Sequence, residues 1–93
     1  MKKRELYFIT VMGSDQRGIV ARISNLLYKN NINIEDINQK VMEGIFVMTM
    51  LVDMSSYKKP ITKLVAALEA VAGKMRLKVQ VQNENIFKMM HRV

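Results

Sequence analysis

Two hydrophobic patterns follow one another in the first third of the chain. Apolar and β-branched side chains fill both faces of residues 6–12, which is typical of a strand in the middle of a sheet. We expect this strand to end at Gly13. From Ile19 onward the apolar positions recur with helical spacing, and Asn30-Asn31 offers a stop. The pattern therefore predicts a strand, a tight loop and a helix.

Residues 32–42 and 45–53 predict a β-hairpin. Its turn falls at Glu43-Gly44, where glycine can supply the positive φ that a short connection needs. The second strand is apolar on both faces and suits a central position, whereas the first carries many polar side chains and suits an edge. The apolar phase of the first strand shifts after Ile34, which predicts a bulge near Glu35-Asp36.

The last third predicts a second helix and a fourth strand. Pro60 suits the first turn of the helix, and Gly73 is the expected stop. Residues 76–82 then alternate between polar and apolar, as in a half-buried strand. The order βαββαβ folds most simply into a four-stranded antiparallel sheet with both helices on one face. The predicted class is α+β, a ferredoxin-like sandwich over residues 5–82.

One face of the predicted sheet has no helix over it. Because both central strands are apolar on both faces, this open face should carry an apolar patch. The tail, residues 83–93, predicts a short helix that could cover the patch or dock on a second copy. Its apolar side chains are Ile86, Phe87, Met89 and Met90.

Length and composition narrow the classes of function. Ninety-three residues make one small domain, and so small a core would gain from a partner surface, which favours a homodimer. The absence of cysteine and the single histidine exclude disulfides, thiolate metal sites and iron–sulfur clusters. We expect no metal and no cofactor. His91, in the tail, fits a solvated position better than a catalytic one.

Charge and hydropathy bear on partners and location. The formal net charge of +7 raises the question of a nucleic-acid partner, but the basic residues are scattered along the sequence, as on an ordinary solvated surface. No apolar run approaches the roughly 20 residues of a membrane span. The basic start at residues 2–4 leads into a short apolar run without a signal-peptide cleavage site. The sequence predicts a cytoplasmic protein with no membrane partner.

The loop of residues 13–18 is the first candidate for chemistry. It links a central strand to a helix, where unpaired backbone N–H groups and the helix dipole favour an anion such as a carboxylate. Asp15 beside such a loop could accept an ammonium group, so that an amino acid would suit both. Ser14 or Asp15 could instead simply cap the helix. The residues alone leave both interpretations open.

A family resemblance sharpens the first interpretation. The stretch Gly13-Ser14-Asp15-Gln16-Arg17-Gly18-Ile19-Val20-Ala21, followed by Asn33-Ile34 and Gln39 in a βαββαβ order, resembles the ACT domain over residues 5–82. Residues 33–53 and the ending 86–93 are similar to the small stand-alone ACT proteins, which are themselves similar to the glycine-cleavage regulator. The resemblance implies a non-catalytic regulatory module that senses a small ligand, usually an amino acid, and serves a regulated enzyme or transcription factor.

The resemblance also implies where the ligand lies. ACT domains commonly pair so that the first loop of one subunit faces the edge strand of the other. Asp15, Gly18 and Asn33 match the family positions best. The ligand-binding residues implied in this way are Gly13, Ser14, Asp15, Gln16, Arg17, Gly18, Asn33, Ile34 and Gln39.

Two of these positions allow a second interpretation. Arg17 stands where the motif usually has proline, and its cation could hold a ligand carboxylate or pair with Asp15 and fill the site. Gln39 is in phase with Ile37 and Val41, so if that face is buried its amide needs a partner, either on a neighbouring strand or subunit or on the ligand.

Two other functions share this topology. An acylphosphatase-like hydrolase would use Arg17 to cradle phosphate and Asn38 to orient water, although Asp15 would repel the phosphate. An RNA-binding domain would need stacked aromatic side chains on the open face. The candidates are Tyr7, Phe8 and Phe46, which make an incomplete platform.

Overall fold

The computed structural model describes residues 4–85 and contains four strands and two helices there. The elements are β1 (Leu6–Ser14), α1 (Ile19–Lys29), β2 (Asn33–Met42), β3 (Ile45–Asp53), α2 (Ile61–Lys74) and β4 (Lys78–Asn83). The sheet has the order β2-β3-β1-β4, and every neighbouring pair is antiparallel. The predicted ferredoxin-like α+β fold is confirmed.

The core lies between the helices and one face of the central strands. Alternate residues of β1 and β3 are buried, as expected where strands are covered on one side. The stripe of α1 buries Ile19, Ile23 and Leu27 against them, and α2 adds Leu64, Leu68 and Ala72. The rest of this core comes from the strands and the turns, namely Ile9, Val11, Ile32, Phe46, Met48, Met50, Val52, Met54, Met75 and Leu77.

The hairpin and the bulge of β2 are confirmed. Glu43 and Gly44 both have left-handed φ angles, of 51° and 80°, as a two-residue hairpin turn requires. The β2–β3 register shifts between Ile34 and Asp36. The Asp36 carboxylate accepts the N–H of Ile37 at 2.9 Å, which satisfies a backbone donor at the irregularity.

Several predicted boundaries were wrong. β1 does not end at Gly13 but continues through it to Ser14, since Gly13 still pairs with Phe46. Pro60 is the extended N-cap of α2 rather than a residue of its first turn. Gly73 lies inside α2, which ends at Lys74, and β4 starts only at Lys78.

Both helices end in the same hydrogen-bonded motif, which explains the wrong stop at Gly73. The residue in the left-handed conformation is Asn31 after α1 and Arg76 after α2. The next residue is buried and donates its N–H back to the last turn, from Ile32 to Leu27 at 3.0 Å and from Leu77 to Ala72 at 2.8 Å. This is a Schellman motif, in which burial of the following apolar side chain stabilises a conformation that glycine usually adopts.

The uncovered face of the sheet carries apolar side chains, as predicted. Its concavity is lined by Phe8, Asp36, Asn38, Lys40, Met42, Ile45, Val47, Thr49 and Leu51. Ile45 of β3 and Met12 of β1 are about half exposed. Most of these apolar side chains lie along the two central strands, and β2 adds Met42 and the polar side chains of Asp36, Asn38 and Lys40.

The predicted tail is described only at its start. Asn83, placed in the tail by the sequence, is the last residue of β4. Glu84 and Asn85 have helical geometry, and the Asn83 side chain accepts the N–H of Asn85 at 2.9 Å, as an N-cap does. The predicted cover, Ile86, Phe87, Met89 and Met90, lies outside the described residues, as does His91. Between residues 4 and 85, neither helix is long and apolar enough to cross a membrane.

Candidate functional site

The β1–α1 loop presents an uncapped helix start. The N-cap of α1 is Gly18, whose φ of 84° is in the left-handed region that favours glycine. Its carbonyl accepts the N–H of Arg22 at 2.9 Å, and no side chain of the described residues caps the helix. Neither Ser14 nor Asp15 is the cap, so that alternative was wrong. The backbone N–H groups of the first helical turn lack the side-chain acceptor that an N-cap usually supplies.

Two contacts hold this loop against its neighbours. The N–H of Asp15 donates to the carbonyl of Gly44 in the hairpin turn at 2.8 Å. The side-chain amide of Gln16 donates to the carbonyl of Met75 at 2.8 Å and to that of Ser14 at 3.2 Å. The NH₂ of Gln16 thus joins the loop to the end of α2, which leaves only its oxygen for a ligand.

The charged side chains of the loop are exposed and separate. Asp15 and Arg17 are both exposed. The one ion pair among residues 4–85 is formed elsewhere, so Arg17 does not pair with Asp15 in this structure. Both charges remain available to a ligand: Arg17 can bind an anionic group and Asp15 a cationic group.

Gly13 permits a close approach of two backbone segments. A Cβ at this position would lie 2.6 Å from Cδ2 of Leu77 and 3.1 Å from the carbonyl oxygen of Arg76. A side chain at this position would therefore displace the Leu77 side chain and press on the backbone of the turn that follows α2. The role of Gly13 in the described structure is thus to fit the loop against that turn.

At the start of β2, three side chains form a polar chain. Asn33 donates from its side-chain amide to the Glu35 carboxylate. The other oxygen of Glu35 lies 2.7 Å from Nη1 of Arg4. Sequence reasoning missed Arg4 and Glu35, because they are 31 residues apart and meet only once the register of β1, β3 and β2 is known. Ile34 is half-buried and packs on the core.

The loop and the Asn33 position lie at opposite ends of one sheet. Ser14 pairs with Ile45, which pairs with Met42, so the loop is at the hairpin end. Asn33 pairs with Asp53 at the other end. Asn33 and Met42, at the two ends of β2, are nine positions apart, a distance of about 30 Å at roughly 3.3 Å per residue. The structure does not bring the predicted site residues together within one chain.

The edge strand β2 is exposed along most of its length. From Glu35 to Met42 every residue is exposed, including Ile37 and Val41, at 40% and 53%. Gln39 lies between them and is exposed too. In the isolated chain its amide can reach water, so the condition under which it would need a protein partner is not met. β4, the other edge, is shorter, with six residues against ten.

The geometry does not favour the two rival functions. Phe46 is only 4% exposed and points into the core, which removes it from the stacking platform that an RNA-binding domain needs. Asn38 lies on the open face in the middle of β2, four residues from the hairpin end to which the loop of Arg17 is attached. Among residues 4–85, no three acidic or histidine side chains are grouped to hold a metal ion.

Comparison with known proteins agrees with this geometry. The sequence profile of the ACT domain matches residues 5–82. The chain belongs to the ACT domain family. A UPF0237 protein of Methanococcus maripaludis is 47% identical to this ACT protein over 85 residues, which are 91% of this chain and 94% of the relative. A second UPF0237 protein, from Methanocaldococcus jannaschii, is 46% identical over the same shares.

Solved structures show the same fold. An ACT domain protein from Streptococcus pneumoniae superimposes with a TM-score of 0.79 and 34% identity, covering 92% of this chain and 97% of that one. A chain solved under the name of a putative glycine cleavage system transcriptional repressor gives a TM-score of 0.71. It is 22% identical, and the match covers 84% of this chain and 44% of that chain, so it supports the fold alone. The predicted family resemblance is confirmed, and the family indicates a regulatory module that binds small ligands.

Proposed function

We propose that this ACT protein is a cytoplasmic homodimer that binds a small zwitterion, most simply an amino acid, between its subunits. It regulates an enzyme or a transcription factor and performs no chemistry of its own. We call the β1–α1 loop, residues 13–18, and the start of β2 at Asn33 the two half-sites. The observation that carries the proposal is that the length of β2 separates these half-sites within one chain, while β2 itself is exposed.

Antiparallel pairing of two β2 strands would close the site. A two-fold axis beside β2 sets the Asn33 end of one strand next to the hairpin end of the other. The hairpin end carries the β1–α1 loop, because Asp15 is bonded to Gly44. Each half-site would then meet its complement from the second copy. The same pairing would cover the exposed side chains of Ile37 and Val41 and give the long edge a partner.

The chemistry of the two half-sites fits a ligand with both charges. The N–H groups at the uncapped start of α1 and the guanidinium of Arg17 can hold a carboxylate. The carboxylate of Asp15 can accept an ammonium group. From the other subunit, Asn33 and the adjacent Glu35 add an amide and a second acceptor. The ligand side chain would then decide which amino acid binds.

The test is thermal denaturation of the full chain with each of the common amino acids. A compound that binds only the folded protein must raise the melting temperature. We expect at least one amino acid to do so, and we expect Asp15→Ala and Asn33→Ala each to abolish the shift. An unresponsive panel would contradict the ligand-binding proposal.

Mixing the two variants distinguishes a shared site from two separate effects. If each site takes Asp15 from one subunit and Asn33 from the other, a mixed dimer has one intact site and one doubly altered site. Random exchange then restores about a quarter of the wild-type sites. No recovery of binding in a mixture that has exchanged subunits would contradict a site built from two chains.

A further inference from the structure

Most of the basic residues among residues 4–85, although scattered in the sequence, gather on one layer of the fold. We define the helical layer as residues 15–31 and 55–76, which hold α1, α2 and their flanking turns. It contains eight basic and two acidic residues, a net charge of +6. The remaining described residues have three basic and six acidic side chains, a net charge of −3. The scatter along the sequence, which suggested an ordinary solvated surface, thus becomes an uneven distribution of charge between the layers of the fold.

A groove between the two helices concentrates this charge. It has a volume of about 270 Å³ and is lined by Arg22, Asn25, Leu26, Lys29, Val71 and Lys74. The three cations are exposed, whereas Leu26 and Val71 are half-buried and form an apolar floor. None of the three cations forms an ion pair within residues 4–85.

The α1 side of the groove is formed by one continuous row of side chains. Arg22, Leu26 and Lys29 are four and three residues apart, so they lie on one face of the helix. Lys74 of α2 borders the same groove. Arg17 lies in the loop before α1 and Arg76 in the turn after α2, two segments that Gln16 joins through its bond to Met75. The groove thus offers apolar contact at the centre and positive charge along both sides.

We propose that the groove between α1 and α2 docks an acidic, amphipathic segment of a partner protein. Carboxylates would meet the cations at the rim, and apolar side chains would cover Leu26 and Val71. Nucleic acid fits less well, because a phosphate backbone has no use for the apolar floor and no aromatic side chain from residues 4–85 lines the groove for stacking.

This inference goes beyond the proposed ligand site. The groove proposal can be wrong while the ligand-site proposal is right, and the reverse. The groove lies on the helices, whereas the ligand site is proposed at the β2 edge. If the proposed function holds as well, the groove identifies the surface by which the regulator contacts the protein it regulates. A binding measurement without any amino acid separates the two proposals.

The experiment uses two fluorescent peptide probes of equal charge. Both are glutamate-rich helical peptides. In one, leucines spaced alternately three and four residues apart form an apolar face, and in the other, serine replaces each of these leucines. We expect the leucine peptide to bind the full chain at low salt, with an affinity that falls as salt is added. The serine peptide should bind at least about tenfold more weakly, since it lacks the apolar contact.

A matched pair of charge reversals tests the location. Arg22→Glu with Lys74→Glu should weaken binding of the leucine peptide at least about tenfold. Lys58→Glu with Lys59→Glu removes the same charge from the same layer outside the groove and should weaken it less than about threefold. Circular dichroism checks folding, and Arg22→Gln with Lys74→Gln replaces the first pair if it does not fold.

Three results would overturn the proposal. The first is equal weakening by the two pairs of reversals, which would indicate nonspecific attraction to a basic protein. The second is equal binding of the leucine and serine peptides. The third is tighter binding of a short DNA or RNA duplex than of the leucine peptide at the same salt, which would assign the groove to nucleic acid.

Discussion

At the scale of single residues, the four glycines have different tasks. Gly18 and Gly44 adopt left-handed φ angles, of 84° and 80°. Gly13 is needed for space, because a Cβ there would contact Leu77 and the backbone of Arg76. Gly73 has no such role, since it lies in a helix and a methyl group added to it would meet no atom within 4 Å among the described residues. These differences make opposite predictions for the same substitution.

Gly13→Ala should lower the free energy of unfolding by about 1–3 kcal/mol, the usual cost of forcing an extra methyl group into a packed site. Gly73→Ala should raise it by about 0.5–1 kcal/mol, because alanine is the better helix former and the position is open. Urea denaturation of both variants measures the two effects. A Gly13→Ala protein as stable as the wild type would show that β1 and the turn after α2 do not approach as closely as described.

At the scale of elements, β2 is the strand that most needs a partner. It is ten residues long, lies at the edge of the sheet and exposes the apolar side chains of Ile37 and Val41. Long edges of this kind are usually blunted by charge, by shortening or by a covering partner. The shorter β4 has exposed Lys78 and Gln80, which suit an edge in contact with water.

Val41→Lys should weaken the dimer at least about tenfold, because it places a charge at each of two symmetry-related positions in the proposed interface. Val41 is already half exposed, so the monomer should stay folded. Gln80→Lys places the same side chain on the other edge and should leave the dimer intact. Sedimentation equilibrium measures the dimer dissociation constant of each variant. Equal effects of the two substitutions on this constant would contradict pairing through β2.

Sequence patterns predicted these elements well wherever the signal was local. The polar residues of β2, the phase shift at Glu35-Asp36 and the Glu43-Gly44 turn indicated an edge strand, a bulge and a hairpin, and all three are present. The end of α2 was misplaced because a glycine is the usual signal for a left-handed residue. Here Arg76 takes that conformation, and the buried side chain of Leu77 stabilises it through contacts that only the folded chain provides.

At the scale of the whole molecule, the candidate site could be predicted only through the family resemblance. The ligand-binding chemistry of the loop around Asp15 could be recognised from neighbouring residues in the sequence. Asn33, by contrast, would come close to this loop only in a second subunit. The Arg4–Glu35 pair and the basic groove could not be predicted, because each joins residues that are distant in sequence. One chain keeps the two half-sites about 30 Å apart, so a complete ligand site depends on how two chains meet.

The most direct test is cross-linking between single-cysteine variants, which is clean because the chain has no cysteine of its own. Arg17→Cys and Asn33→Cys are prepared separately, mixed to exchange subunits and treated with a short bismaleimide. We predict a covalent dimer in the mixture and none in either variant alone, because the two-fold axis sets each loop beside the other subunit's Asn33. Cross-linking in a single-variant sample, or none in a mixture shown to be dimeric and exchanged, would contradict a ligand site shared between subunits.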